Sequence, residues 1–395
     1  MPEKYTAVVA GHLCLDVIPD LSRSSKDKFE RMFQPGRLLD VGPMTFSTGG
    51  AVSNTGLALN KLGIKTALMG KVGDDIFGQA IQQIVASYGA DLTGGMIVDP
   101  KVASSYTIII NPPGIDRIFL HCPGANDTFT AADVRYDLLS DARLFHFGYP
   151  PLMKHMYEND GEELVEVFRQ AKKRCVTTSL DMALPDVNSA AGKANWPTII
   201  RSVLPYVDVF LPSIEEIMYM LRRDAYNELV SKAGSANFLS LVTPVLLADL
   251  SHELIDLGVK IAGLKLGDRG FYLHTTDSSG IELMGCAQPT DVAGWANREI
   301  WAPCFCVNVA GTSGSGDCTI AGFLSALLRN MSAEQAATAA VAVGACNVER
   351  PDTLSGVRPW DETMQRVAQG WQRHDLKVDQ AGWQFDPTNS LWIAS

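Results

Sequence analysis

Long hydrophobic runs are absent. No stretch reaches the roughly 18 apolar residues that a bilayer-spanning helix needs, so no membrane span is expected. Basic clusters are absent too: 33 lysines and arginines stand against 44 aspartates and glutamates, a formal net charge of −11, and they do not gather. The electrostatic footprint of a nucleic-acid binder is therefore missing. The eight cysteines (Cys14, Cys122, Cys175, Cys286, Cys304, Cys306, Cys318 and Cys346) form no C-x-x-C pair and no tight spacing with histidine, which favours buried free thiols over zinc or disulfides. The opening MPEKYTAVVAGHLCLDVIP has one lysine and too short an apolar core for a secretion signal, so a cytoplasmic protein is expected. G-x-x-x-x-G-K-[ST] is lacking, and the first strand runs into GHLCLD instead of G-x-G-x-x-G. These gaps disfavour a P-loop NTPase and a dinucleotide-binding Rossmann domain.

What is present is alternation. Strand-like apolar runs recur near residues 6, 65, 105, 143, 175, 207 and 260. Between many of them lie helical patterns over 51–62, 77–88, 162–173, 214–221 and 244–257. That rhythm predicts a mostly parallel sheet covered by helices. Two segments break it: residues 18–45 are polar, and residues 103–121 read as two strands around the turn NPPGIDR. Such insertions form either a flap over a pocket or an ordinary surface hairpin. The tail from Asp352 holds Trp360, Trp371, Trp383 and Trp392, which points to packing against the body or a neighbouring subunit. Segments 223–243 and 286–303 carry no interpretable motif.

Two glycine-rich segments carry the chemistry. In AGTSGSGDCTIAGF (310–323), Gly311, Gly314 and Gly316 lie between the strand-like CFCVNVA and a small-residue helix. Backbone N–H groups at such a junction can cradle a phosphoryl group. Asp317 then either caps the helix or stands beside the anion as a base for an attacking hydroxyl. In STGGAVSNTGLALNKLG (47–63), Gly49 and Gly50 open a helix on which Asn54 lies one turn in, a pattern suited to sugar hydroxyls or to plain capping.

Together the segments resemble the PfkB (ribokinase-like) family of carbohydrate kinases. GGAVSNTGLALNKLG followed by GKVGDDIFG is similar to its N-terminal signature, and GTSGSGDCTIAGF to its C-terminal one; GHLCLDVIP, PGAN, SLDMALP, LPSIEE and KLGDRG fall between them in family order. The resemblance implies a three-layer α/β/α ribokinase-like domain over residues 1–356, with a small β lid from about 18–45 and 103–121, followed by the Trp-rich tail 357–395. It also implies transfer of the γ-phosphoryl of ATP, with Mg2+, to a sugar-like acceptor, and a homodimer.

By the same resemblance Asp317 would be the catalytic base, and Gly314, Ser315 and Gly316 would form the anion hole. Asp16, Gly49, Gly50 and Asn54 would bind the sugar. Ser213 and Glu216 would organise magnesium through water, Lys265, Gly267 and Gly270 would line the nucleotide side, and Asn347 would lie near the base. Two positions depart from the family pattern. Ser213 replaces the asparagine of N-x-x-E, and Gly311 replaces an aspartate associated with a monovalent cation, so potassium activation is not carried over. A nucleoside acceptor stays open, with Phe29, Phe33, Phe46, Tyr106 and Phe119 available for stacking, as does a non-catalytic sugar-binding regulator. For a phosphorylated acceptor the basic candidates are Lys26, Lys28, Arg31, Arg37 and Arg117.

Overall fold

In the first strand, β1 (Ala7–Gly11), Ala7 and Val9 enter one hydrophobic core while Val8 and Ala10 enter another. Side chains alternate along a strand, so a strand apolar on both faces must be covered on both. A computed structural model of the chain describes residues 5–21, 35–36, 38–111, 118–234 and 238–394. After β1 come β2 (Cys14–Pro19), β3 (Met44–Gly49), β4 (Thr66–Met69), β5 (Lys71–Gly73), β6 (Ile97–Asp99), β7 (Tyr106–Ile110), β8 (Ile118–Cys122), β9 (Leu144–Gly148), β10 (Thr177–Asp181), β11 (Val209–Phe210), β12 (Ile261–Lys265), β13 (Phe271–Thr275), β14 (Glu299–Ala302), β15 (Trp383–Asp386) and β16 (Leu391–Ala394).

The central sheet runs in the order β15, β16, β14, β13, β12, β11, β10, β9, β1, β4. It is parallel from β4 to β12 and antiparallel from β12 onward. One core joins it to the helices Ala51–Lys61, Ser315–Leu328 and Ala333–Val348; the other joins it to Glu162–Lys172, Trp196–Val203, Ile214–Leu221 and Pro244–Asp256. This is the expected α/β/α arrangement. The small lid is a separate sheet in the order β3, β2, β7, β8. Of the lid segments, residues 22–34, 37 and 112–117 lie outside the described residues, and with them Lys26, Lys28, Phe29, Arg31, Phe33, Arg37 and Arg117.

Two expectations change, and the tail is seen to pack on the body. CFCVNVA is not a strand; its only ladder contact among the described residues is a bridge from Phe305 to Arg373, and its apolar character serves a stack of Phe305 on Trp371 at 4.4 Å between ring centroids. The sheet strand there is β14, just upstream, inside the segment 286–303 that carried no interpretable motif. The cysteines are free, but Cys175 and Cys286 are exposed. The tail continues the sheet: β16 pairs with β14, and Trp383 and Trp392 pack with the core against the helices Glu162–Lys172 to Pro244–Asp256. No helix among the described residues is long and apolar enough to cross a membrane.

Candidate active site

The parallel strands bring their carboxyl ends to one edge, where ligands of open α/β sheets bind. Gly11 of β1 sits in register with Gly148 of β9, and Gly148 with Asp181 of β10. Tyr149 follows Gly148 directly, in left-handed backbone at φ 65°. Ser213 begins the helix after β11, and Lys265 ends β12, the two joined by a parallel bridge.

Asp317 meets this edge from the opposite side. The helix Ser315–Leu328 is capped by Gly314 at φ 69° with no side-chain cap, so Asp317 lies in the first turn and does not serve as the cap. Its carboxylate is 2 % exposed. It accepts hydrogen bonds from Thr55 Oγ1 at 3.1 Å, Asn54 Nδ2 at 3.1 Å and Tyr149 OH at 2.7 Å. Burial raises the pKa of Asp317, outweighing the opposite pull of the Lys265 charge and of these three donors. A buried carboxylate held by neutral donors is a proton acceptor with fixed aim. The Ser315 N–H turns back to Thr312 O at 3.3 Å, whereas Gly316 and Asp317 stand in the first turn, where N–H groups lack intrahelical acceptors and anions are favoured.

Beside the loop stands a charged cluster. Lys265 Nζ lies 2.6 Å from Asp181 Oδ1, and Asp181 is fully buried. Burial works against the lysine's charge, but Asp181, Glu216 and Asp317 outweigh it and raise its pKa. Burial likewise pushes Glu216 up, opposed by Lys265. Ser213 and Glu216 form a reciprocal capping box, with Ser213 N donating to Glu216 Oε2 at 2.6 Å and Glu216 N to Ser213 Oγ at 3.2 Å. Serine in place of asparagine thus serves the helix start and orients Glu216.

A cavity of about 880 Å3 opens between this edge and the lid. Alternate lid residues face it: Cys14, Asp16 and Ile18 from β2, Ser47 and Gly49 from β3, Thr107 and Ile109 from β7, and Phe119 and His121 from β8. Register aligns Ser47, Asp16, Thr107 and His121 into one polar row. Burial raises the Asp16 pKa to about 6. Gly50 and Asn54 also line the cavity, as do Thr312, Ser313 and Gly314 of the glycine-rich loop. Gly50 is at φ 90°, and a Cβ there would lie 2.5 Å from His12 Nδ1, so the helix could not start this close to His12 with any other residue. Among the aromatic candidates for base stacking, Phe119 lines the cavity, while Tyr106 packs edge-on against Phe77.

Other expected residues have structural partners. Asn347 is fully buried, and its amide donates to Ser313 O at 3.2 Å and Thr353 O at 2.8 Å, pinning the glycine-rich loop. Gly267 and Gly270 make the tight turn between β12 and β13; a Cβ on Gly270 would lie 1.9 Å from Ala302 O. At Gly311 a Cβ would lie 2.8 Å from Pro351 O, which leaves no room for the aspartate of the family pattern. Sequence reasoning missed Tyr149, Thr55, Asp181, His12 and His121. His12 is buried with neither ring nitrogen hydrogen-bonded, and burial together with His121 lowers its pKa to about 3. The signal available was position: Asp181 closes a predicted strand, and His12 and Tyr149 follow the glycines that end two others.

The chain thus combines an α/β/α body, a β lid and a glycine-rich turn whose following helix carries a buried first-turn aspartate, the architecture of a ribokinase-like domain. The sequence pattern of the pfkB family of carbohydrate kinases matches residues 6–360, and the chain belongs to that family. With membership comes ATP-dependent phosphoryl transfer to a sugar- or nucleoside-like acceptor. Fructokinase-2 of Oryza sativa subsp. japonica is 24% identical over 329 residues, covering 82% of this chain and 80% of the relative. A fructokinase with bound ATP from Xylella fastidiosa superposes with a TM-score of 0.67 at 18% identity, covering 93% of this chain and 99% of the other. Arabidopsis thaliana ribokinase complexed with ribose and ATP superposes at 0.66 and 17% identity, covering 91% and 98%.

Proposed function

We propose that the acceptor is a sugar, held in the cavity under the lid, and that Asp317 takes the proton from its attacking hydroxyl. One observation carries this reading: a buried carboxylate with a raised pKa is held by Asn54, Thr55 and Tyr149, and Asn54 and Tyr149 line the cavity together with the polar lid row and Thr312, Ser313 and Gly314. As the acceptor oxygen bonds to the γ-phosphorus, the bond to the bridging oxygen breaks and ADP leaves. First-turn N–H groups around Gly314, Ser315 and Gly316 would meet the developing charge. Asp16, Gly49 and Gly50 would contact the sugar, whereas Asn54 acts chiefly on the base. Glu216, fixed by Ser213, is a hard-oxygen donor that would hold the waters of a magnesium ion, with Lys265, Gly267 and Gly270 on the ATP side. Half-exposed Met44, Phe46 and Leu120 on the lid's other face support a homodimer.

The polar row Ser47, Asp16, Thr107 and His121 favours a sugar over a nucleobase, and the fructokinase relatives make D-fructose the first acceptor to try. A coupled assay of ATP consumption over free sugars, sugar phosphates and nucleosides, with Mg2+ present, tests this. Turnover is expected with a free sugar, and Asp317→Asn should lower kcat roughly 10²–10⁴-fold. Background ATP consumption with every acceptor, or an undiminished D317N enzyme, would remove the reading.

A further inference from the structure

We infer that Lys265 is the side-chain cation that meets the transferred phosphoryl group, held ready by Asp181; this rests on the kinase reading and extends it. Lys265 is the last residue of β12, and its side chain reaches the glycine-rich loop at Gly316. A Cβ built on Gly316 would lie 3.7 Å from Lys265 Nζ and 3.5 Å from its Cδ, so the lysine runs along the loop's backbone. Its side chain keeps 12% exposure, while that of Asp181 has none. The ion pair does not saturate either partner. Nζ carries three donors and contacts one carboxylate oxygen at 2.6 Å, and Asp181 Oδ2 is buried without a hydrogen-bond partner.

Charge balance asks for such a group. Asp181 contacts Lys265, and Glu216 and Asp317 also act on its charge, so three carboxylates lie near the ammonium. Backbone N–H groups supply only partial charges. Lys265 stays protonated throughout: the γ-phosphorus exchanges its bridging oxygen for the acceptor oxygen, the acceptor proton goes to Asp317, and the lysine offsets charge on the phosphoryl oxygens. Asp181 keeps the ammonium in place before nucleotide arrives.

The rival account is that Lys265 only neutralises a buried aspartate. Calorimetric titration with MgATP and with MgADP, without acceptor, separates the two for the wild type, Lys265→Met and the double variant Lys265→Met/Asp181→Asn. The double variant removes both buried charges, so it stays informative even where the single variant fails to fold. A phosphoryl-contacting lysine predicts that both variants lose ATP affinity at least about tenfold more than ADP affinity. Recovery of the wild-type ATP-to-ADP ratio in the double variant, or equal loss for both nucleotides, would overturn the inference. A wild-type protein that binds neither nucleotide would instead overturn the kinase reading beneath it.

Discussion

Tyr149 shows how much of the site rests on single side chains. Its left-handed backbone at the end of β9 is unusual for a bulky residue, and it delivers the phenol to Asp317 Oδ2 at 2.7 Å. The hydrogen bond favours the ionised carboxylate and so lowers the Asp317 pKa, against the larger upward push of burial. The base works ionised, so activity climbs as pH rises through that pKa. Tyr149→Phe removes a lowering contribution, and the acid limb of kcat should therefore move to higher pH. A lost hydrogen bond to a charged group should also cut kcat about tenfold at neutral pH. The pH profile of the variant, on whichever acceptor the screen identifies, decides it. A limb that stays put would make Tyr149 a packing residue only.

The helix carrying Asp317 is held by close packing of small residues. Gly322 faces the Ala333–Val348 helix, and a Cβ there would lie 2.5 Å from Ala339 O and 2.9 Å from Val343 Cβ. Gly344 answers from the other helix, where a Cβ would lie 2.4 Å from Thr319 Oγ1. Gly322→Ala improves intrinsic helix propensity, so an isolated helix would gain from it. Overpacking should win here and cost about 1–3 kcal/mol, read as a lower denaturant midpoint. An unchanged or higher midpoint would show that the helices can separate freely. This pairing was not legible in the sequence, where the glycines look like neutral small residues. What was legible had local causes: Ile214–Leu221 is bounded by a capping box, and the β7–β8 hairpin has apolar runs around a turn. The glycine-rich turn that leads into the helix carrying Asp317 was legible for the same reason. Tyr149, Asp181 and Thr55 were not, because parallel register and helix placement bring them to Asp317 and Lys265 across more than 80 residues of chain. CFCVNVA misled because its apolar residues are matched to the distant tail.

That tail ties the whole molecule to its site. The family pattern ends at residue 360, yet β16 pairs with β14 and carries the central sheet onward. Arg373 donates to Pro303 O at 2.8 Å and to Thr338 Oγ1 at 2.9 Å, and its guanidinium lies over Phe305. Trp371 also stacks on that ring and donates to Cys306 O at 3.0 Å. These contacts fasten the segment that leads from β14 into the glycine-rich loop, so the tail is coupled to that loop by direct packing. Ending the chain after Gly370 would remove two sheet strands, expose an unpaired β14 edge, strip Phe305 of Trp371 and take Trp383 from Tyr272. Loss of a large buried aromatic alone costs about 3–5 kcal/mol, so the truncated protein should unfold at a clearly lower temperature. Because the strap reaches the loop and not the lid, ATP affinity should fall more than affinity for the sugar. Thermal unfolding and paired titrations with ATP and the acceptor would show this. An unshifted melting point with normal ATP binding would mean that the sheet is complete at β14 without its last two strands.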